Sequence, residues 1–248
     1  MELSEIGLLT AIFLFGGIVK GALGIGFPAL LVGLLTFFYE PRAAVAMILI
    51  AIMASNFRQA SVGGSMWEIL MRHKYFATFA CAGIFLVSLI GAKVPLALLQ
   101  TCVGAAMVLF AVTSLYGAIP RLTAKLEVPA QIGAGIGSGI LGGLTAIWGP
   151  PLAVYLMALR LERDVMIQTL GVMFSVQSIF LMAGFIVTGE LTFQIAILGI
   201  GLLIPTFVGM YFGERIRKRM DTAQFMKAFL FAFLLLGINL IRRGIMGA

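Results

Sequence analysis

The sequence predicts an all-α polytopic membrane protein built from two repeats that are inverted relative to each other, each opening with a broken or re-entrant helix. The chain is 61% hydrophobic and only 11% charged, which is too little charge for the surface of a soluble protein of 248 residues. Two long apolar segments are interrupted, by GALGIGFP at 21–28 and by GGLTAIWGPP at 142–151. Their prolines Pro28 and Pro150 lie 122 positions apart, about half the chain.

The hydropathy pattern predicts eight transmembrane-like segments, and most are close to the roughly 20 residues that a spanning helix needs. They fall at about 5–38, 43–62, 75–92, 95–117, 129–159, 164–187, 191–212 and 223–241. The first and fifth are too long for one untilted span, while their separate legs are too short to cross alone. Each is therefore either one broken, tilted span or a re-entrant hairpin with its tip near mid-membrane.

Matching residues at the offset of 122 indicate a duplication. The pairs include Gly17 and Gly139, Gly21 and Gly143, Glu40 and Glu162, and Glu68 and Glu190. We expect one membrane domain with a first repeat at 1–117, a short linker at 118–128 and a second repeat at 129–248.

The basic residues favour the hairpin interpretation. A net charge of +7 fits the positive-inside bias of membrane loops better than a nucleic-acid partner. If the first and fifth segments do not cross, most Lys and Arg residues become cytoplasmic, and each half crosses three times. An odd number of crossings inverts the second half, as in many secondary transporters. Arg242 and Arg243 would lie outside, against the rule.

The glycine-rich first segment, the second-half break that ends in WGPP and the eight apolar stretches resemble the TauE/SafE family of sulfite and organosulfonate exporters. The resemblance covers essentially the whole chain. It implies a multi-pass transporter of small sulfur-containing anions in the cytoplasmic (inner) membrane. It does not fix the anion, the direction of transport or the oligomeric state.

The two breaks are the predicted substrate site, because paired helix interruptions present unbonded N–H groups and positive dipole ends to an anion. The predicted substrate-binding residues are Lys20, Gly21, Gly24, Gly26, Pro28, Ser55, Asn56, Gly142, Gly143, Trp148, Gly149, Pro150, Gln177 and Ser178. The alternative for the glycines is close helix packing, the role we expect for Gly16, Gly17, Gly135 and Gly139.

Lys20 is the most informative charge, because a lysine inside the membrane costs about 3 kcal/mol on insertion scales. It either contacts the anion or extends its stem to an interface. At the offset of 122, Ser55 and Asn56 match Gln177 and Ser178 of the second half. These four residues either line the substrate pathway or form hydrogen bonds between helices. Trp148 either gates the substrate pocket or packs against neighbouring side chains. Arg58 either anchors its helix at the interface or guides anions inward.

We expect neither an enzyme nor a cofactor or metal, since the acidic residues fall at segment ends and no nucleotide or metal motif is present. The only histidine, His73, stands between Arg72 and Lys74, and we interpret it as part of a solvated basic cluster. No acidic residue lies in the middle of a membrane segment, where it could relay protons. Transport is therefore either coupled to the proton gradient through protonation of the substrate itself, or it is uncoupled, as in a uniporter. The competing functions are a carrier or channel for another anion and a non-transporting assembly subunit.

Overall fold

The computed structural model of the chain describes residues 3–61, 63–91, 93–115, 121–219 and 222–246. It is 86% helical, with no strand among the described residues. The helices are α1 (Leu3–Leu23), α2 (Phe27–Leu35), α3 (Pro41–Ala60), α4 (Met66–Arg72), α5 (Lys74–Gly91), α6 (Leu96–Leu115), α7 (Glu127–Thr145), α8 (Gly149–Ala158), α9 (Arg163–Val187), α10 (Phe193–Gly201), α11 (Leu203–Arg219) and α12 (Thr222–Met246).

Within the described residues, six helical stretches are long and apolar enough to cross a membrane. They are Ser4–Leu23, Pro41–Ala60, Lys74–Gly91, Leu96–Leu115, Asp164–Val187 and Phe193–Arg217. The predicted all-α polytopic membrane fold is therefore confirmed. The predicted segment 191–212 consists of two helices, α10 and α11, that meet at Leu202. The short helix α4 was not predicted.

The chain leaves the helical conformation at both glycine-rich motifs. In the first, Gly24 and Gly26 have φ angles of 75° and 84°, which glycine adopts at little cost. Pro28 then stands in the first turn of α2, where its missing N–H is tolerated. In the second, Ala146 takes the left-handed conformation between α7 and α8. The corresponding helix boundaries lie 122 positions apart, as do the prolines.

Each interrupted segment folds back on itself. Tyr39, just after α2, donates its hydroxyl to Glu5 Oε1 at the start of α1, at 2.6 Å. In the second half, Leu122 N, before α7, donates to Ala158 O at the end of α8, at 2.9 Å. Both segments thus begin and end at the same end of the bundle, with α1–α2 and α7–α8 as antiparallel hairpins.

Helices α3 and α9, which occupy positions 122 apart in sequence, run in opposite directions. Gln59 near the end of α3 donates to Ile167 O near the start of α9, at 2.7 Å. Arg42 at the start of α3 pairs with Glu190 beyond the end of α9. The two helices are therefore antiparallel, although they occupy equivalent places in the two halves.

The hairpin helices instead pack in parallel against helices of the opposite half, through glycines. On α11, Gly209 and Gly213 abut Leu14 O and Ile18 O of α1 so closely that a side chain would collide. On α7, a Cβ at Gly135 would lie 2.8 Å from Phe76 O, and one at Gly143 would lie 2.9 Å from Ile84 O. Small residues allow such backbone approach, as expected in membranes.

The interpretation of His73 as part of a solvated basic cluster is wrong. The residue caps α4 and turns its ring inward, so that it is buried while Arg72 and Lys74 are exposed. Its Nδ1 lies 2.9 Å from the Tyr155 hydroxyl of α8, and the two rings meet edge to face. Burial, with a smaller contribution from the Arg72 charge, lowers the pKa of His73 to about 4.

Candidate functional site

Lys20 lies in the last turn of α1, directly before the first break, and its side chain is buried. Its Nζ donates to Asn56 Oδ1 of α3 at 2.7 Å and lies 5.6 Å from the ring centroid of Phe174 on α9. Among the described residues, no carboxylate is within ion-pair distance of it. An ammonium group that has only neutral neighbours in a buried place can accept an anionic partner.

Two buried amides, Asn56 beside Lys20 and Gln177 on α9, have hydrogen-bonding groups without partners in the described part of the chain. Asn56 Nδ2 and both amide atoms of Gln177 have no hydrogen-bond partner among the described residues. Gln177 follows Phe174 by three positions, which places it on the helix face that Phe174 turns toward Lys20. A buried polar group without a partner costs about 1–3 kcal/mol, so these groups are suited to a polar ligand.

The two predicted serines are already bonded within their own helices. Ser55 donates to Ile52 O at 3.0 Å, and Ser178 donates to Ser175 O at 2.8 Å. Their hydroxyls are buried. Of the four polar residues predicted on α3 and α9, Asn56 and Gln177 are therefore the two that have unbonded polar atoms among the described residues.

The two breaks lie side by side around a small cavity of about 20 Å³. Gly26 and Pro28 line it from the first break, and Trp148 and Gly149 line it from the second. Phe174 of α9 also lines it. Trp148 is buried, and its ring centroid lies 6.1 Å from that of Phe174. The cavity holds about one water molecule and is too small for an oxyanion of four or more heavy atoms.

A wider cavity of about 230 Å³, here called the vestibule, leads to Lys20 from one end of the bundle. It is lined by Lys20, Gly21, Gly24, Arg58, Gln59, Ile167, Met210, Glu214 and Arg217. Arg58 forms an ion pair with Glu214 at 3.0 Å, and both side chains are about a third exposed (37% and 34%). Ion pairs this exposed contribute about 0–1 kcal/mol.

The opposite end of α3, about 24 Å of helix away, carries a different kind of pair. Arg42 donates through Nε and Nη2 to both carboxylate oxygens of Glu190, and through Nη2 to Ser88 O at 3.1 Å. Its guanidinium lies 4.5 Å from the ring centroid of Phe185. Only 10% of the arginine side chain is exposed, and removing one partner of such a buried pair costs about 3–5 kcal/mol.

Several predicted glycines serve helix packing, the alternative considered for them. Gly21 abuts Met210 O, although it also lines the vestibule, and a Cβ at Gly143 would lie 2.7 Å from Val87 Cβ. A Cβ at Gly142 would lie 3.0 Å from both Ile84 and Trp148. Pro150 faces an apolar groove between α6, α7 and α8 rather than the cavity at the breaks.

The residues around the two cavities that were not predicted include Phe174, Glu214 and Arg217. Phe174 joins the two parts of the site, since its ring contacts both Lys20 and Trp148. The sequence signal for Phe174 was its spacing of three and four residues from Gln177 and Ser178, which places all three on one face of a helix. The spacing of three between Glu214 and Arg217 places both on one face at the polar end of α11.

Comparison with known proteins assigns the chain to one family, through a match that covers nearly its whole length. The family model for the sulfite exporter TauE/SafE matches residues 9–240, which include both breaks and all residues that line the vestibule. No curated protein and no solved structure matches the chain. The protein thus belongs to the sulfite exporter TauE/SafE family, whose members transport sulfite and related anions across a membrane.

Proposed function

We propose that the protein is a secondary carrier that moves a small sulfur-containing anion, such as sulfite or an organosulfonate, across the cytoplasmic (inner) membrane by alternating access. The observation that carries the proposal is the position of Lys20. Its amine is buried, has a neutral amide as its hydrogen-bond partner and lies 5.6 Å from the ring centroid of Phe174, which also lines the cavity between the two breaks. A negatively charged substrate would complete this site electrostatically.

The surrounding donors suit the oxygens of such an anion. The α2 and α8 helices begin at the breaks, beside the small cavity. A helix N-terminus offers unbonded N–H groups and a positive dipole end to an anion. Asn56 Nδ2 and Gln177 Nε2 add two neutral donors, one from each half of the chain. Together with Lys20, these groups provide one positive charge and several hydrogen bonds for an oxyanion.

The helix directions support an inverted-repeat carrier. The hairpins return to their starting side, and the equivalent helices α3 and α9 are antiparallel, as an odd number of crossings in each half requires. The Arg42 end carries a largely buried ion pair, whereas Arg58 lines the vestibule. With the predicted topology, in which Arg58 is cytoplasmic, this conformation faces inward.

A carrier fits these features better than a channel. A channel needs a continuous polar pore, but the cavity at the breaks holds only about one water. A carrier for another small anion would use the same groups, since other oxyanions present similar oxygens and charge.

The test is counterflow in proteoliposomes. Vesicles that contain the purified protein and unlabelled sulfite are expected to take up labelled sulfite in a saturable manner, whereas protein-free vesicles do not. Taurine, sulfoacetate and sulfate, added outside, rank the competing substrates. Folded protein that exchanges none of these anions would contradict the sulfur-anion assignment.

A further inference from the structure

The vestibule has the size and charge of an anion-binding site in its own right. Its volume of about 230 Å³ accommodates a small oxyanion with part of its hydration shell, in contrast to the 20 Å³ cavity at the breaks. Among the described residues, its lining has three basic side chains, Lys20, Arg58 and Arg217, and one carboxylate, that of Glu214. An anion is therefore attracted into this space before it reaches Lys20.

Arg58 is held much more weakly than the other paired arginine of α3. Its Nη2 contacts Glu214 at 3.0 Å to Oε1 and 3.1 Å to Oε2, in a partly exposed pair, and its guanidinium lies 5.8 Å from the Phe207 ring centroid. Arg42, in contrast, is buried, bonded through two nitrogens to Glu190 and anchored to a backbone carbonyl. An incoming anion can replace a partner of Arg58 at small cost, but not one of Arg42.

We propose that Arg58 and Arg217 form an entry site for the transported oxyanion, and that Glu214 is a resident competitor that the anion displaces from Arg58. This inference rests on the proposed function and adds a second binding site to it. The planar guanidinium of Arg58 suits two oxygens of a sulfite or sulfonate group as well as it suits a carboxylate. Competition by Glu214 keeps the entry site weak enough for the anion to move on to Lys20.

The decisive prediction is that removing a charged residue strengthens binding. In sulfite counterflow, Glu214→Gln is expected to lower the half-saturating sulfite concentration about fivefold, because the competitor loses its charge. Arg58→Gln is expected to raise it about tenfold. In the double variant, the Glu214 substitution should have no further effect, because the two residues act through one contact. Glu127→Gln is the matched control, since Glu127 pairs with Arg72 at 4.0 Å outside the vestibule.

The outcomes separate this inference from the proposed function. Wild-type exchange combined with an unchanged or higher half-saturating concentration for Glu214→Gln would overturn the entry site and leave the carrier intact. Absence of exchange from folded wild-type protein would contradict the carrier itself, and the entry site with it. If Glu214→Gln does not give a monodisperse protein, Arg58→Gln decides alone, and an unchanged half-saturating concentration in that variant would overturn the site.

Discussion

At the residue scale, the binding role proposed for Gln177 conflicts with the stability of the empty protein. Its amide is buried, and neither of its polar atoms has a hydrogen-bond partner among the described residues. A leucine of similar size would not carry the cost of about 1–3 kcal/mol for an unbonded amide. A residue that destabilises the empty protein is understandable if it contacts the substrate.

Gln177→Leu is therefore expected to keep or raise the thermal unfolding temperature in detergent while weakening sulfite exchange severalfold. The physical reason is that the same change removes an unbonded amide from the interior and a donor from the ligand. Thermal unfolding and counterflow on one preparation check both halves of the prediction. Unchanged exchange would remove Gln177 from the site, and a large loss of stability would show that its amide is bonded.

His73 predicts a specific pH dependence of stability. Its pKa is about 4 in the folded protein against an ordinary value of 6.5, so folding favours the neutral ring. The resulting stabilisation is complete above pH 6.5 and is lost as the pH falls from there toward 4. His73→Gln lacks this titration, so the loss of unfolding temperature between pH 7.5 and pH 4.5 should be smaller in the variant. Parallel pH curves for the two proteins would contradict the buried, neutral histidine.

At the element scale, the positions of the two breaks follow from local chemistry and can be predicted from the sequence, whereas the residues that the hairpins contact cannot. Glycine and proline place the breaks because they act through backbone conformation within a few residues. The contact of Lys20 with Asn56 joins residues 36 positions apart, and no local pattern specifies it. His73 was misjudged for the same reason, because its burial comes from Tyr155 on a distant helix and not from its basic neighbours.

The packing of α1 against α11 predicts a contrast between two glycines of one helix. A Cβ at Gly17 would collide with Thr206 O, a backbone atom that cannot move aside, whereas Gly7 has no neighbour within 4 Å. Gly17→Ala is expected to destabilise the protein by about 1–3 kcal/mol through overpacking. Gly7→Ala should be neutral or slightly stabilising, since alanine favours the helix. Equal unfolding temperatures for the two variants would contradict the close approach of α1 and α11.

At the scale of the whole molecule, the hairpins determine which loops share a side of the membrane. We expect single cysteines at Ser4 and Glu40, in a background without Cys81 and Cys102, to react with a membrane-impermeant maleimide from the same side. A cysteine at Lys125 should react only from the opposite side, because three spans separate it from Glu40. All three positions lie at exposed residues. Eight simple spans predict instead that Ser4 and Lys125 share a side, so that result would refute the hairpins.

The most direct test of the central claim, that the buried lysine at the first break holds the transported anion, is sulfite counterflow by Lys20→Ala beside Lys74→Ala. Lys74 is an exposed lysine whose ammonium lies 5.2 Å from the Tyr75 ring centroid, so it controls for the loss of one positive charge. We predict that exchange falls at least tenfold in the first variant, since the anion loses its charged partner, and stays near the wild-type rate in the second. Folded Lys20→Ala protein that exchanges sulfite with the wild-type rate and half-saturating concentration would contradict the account.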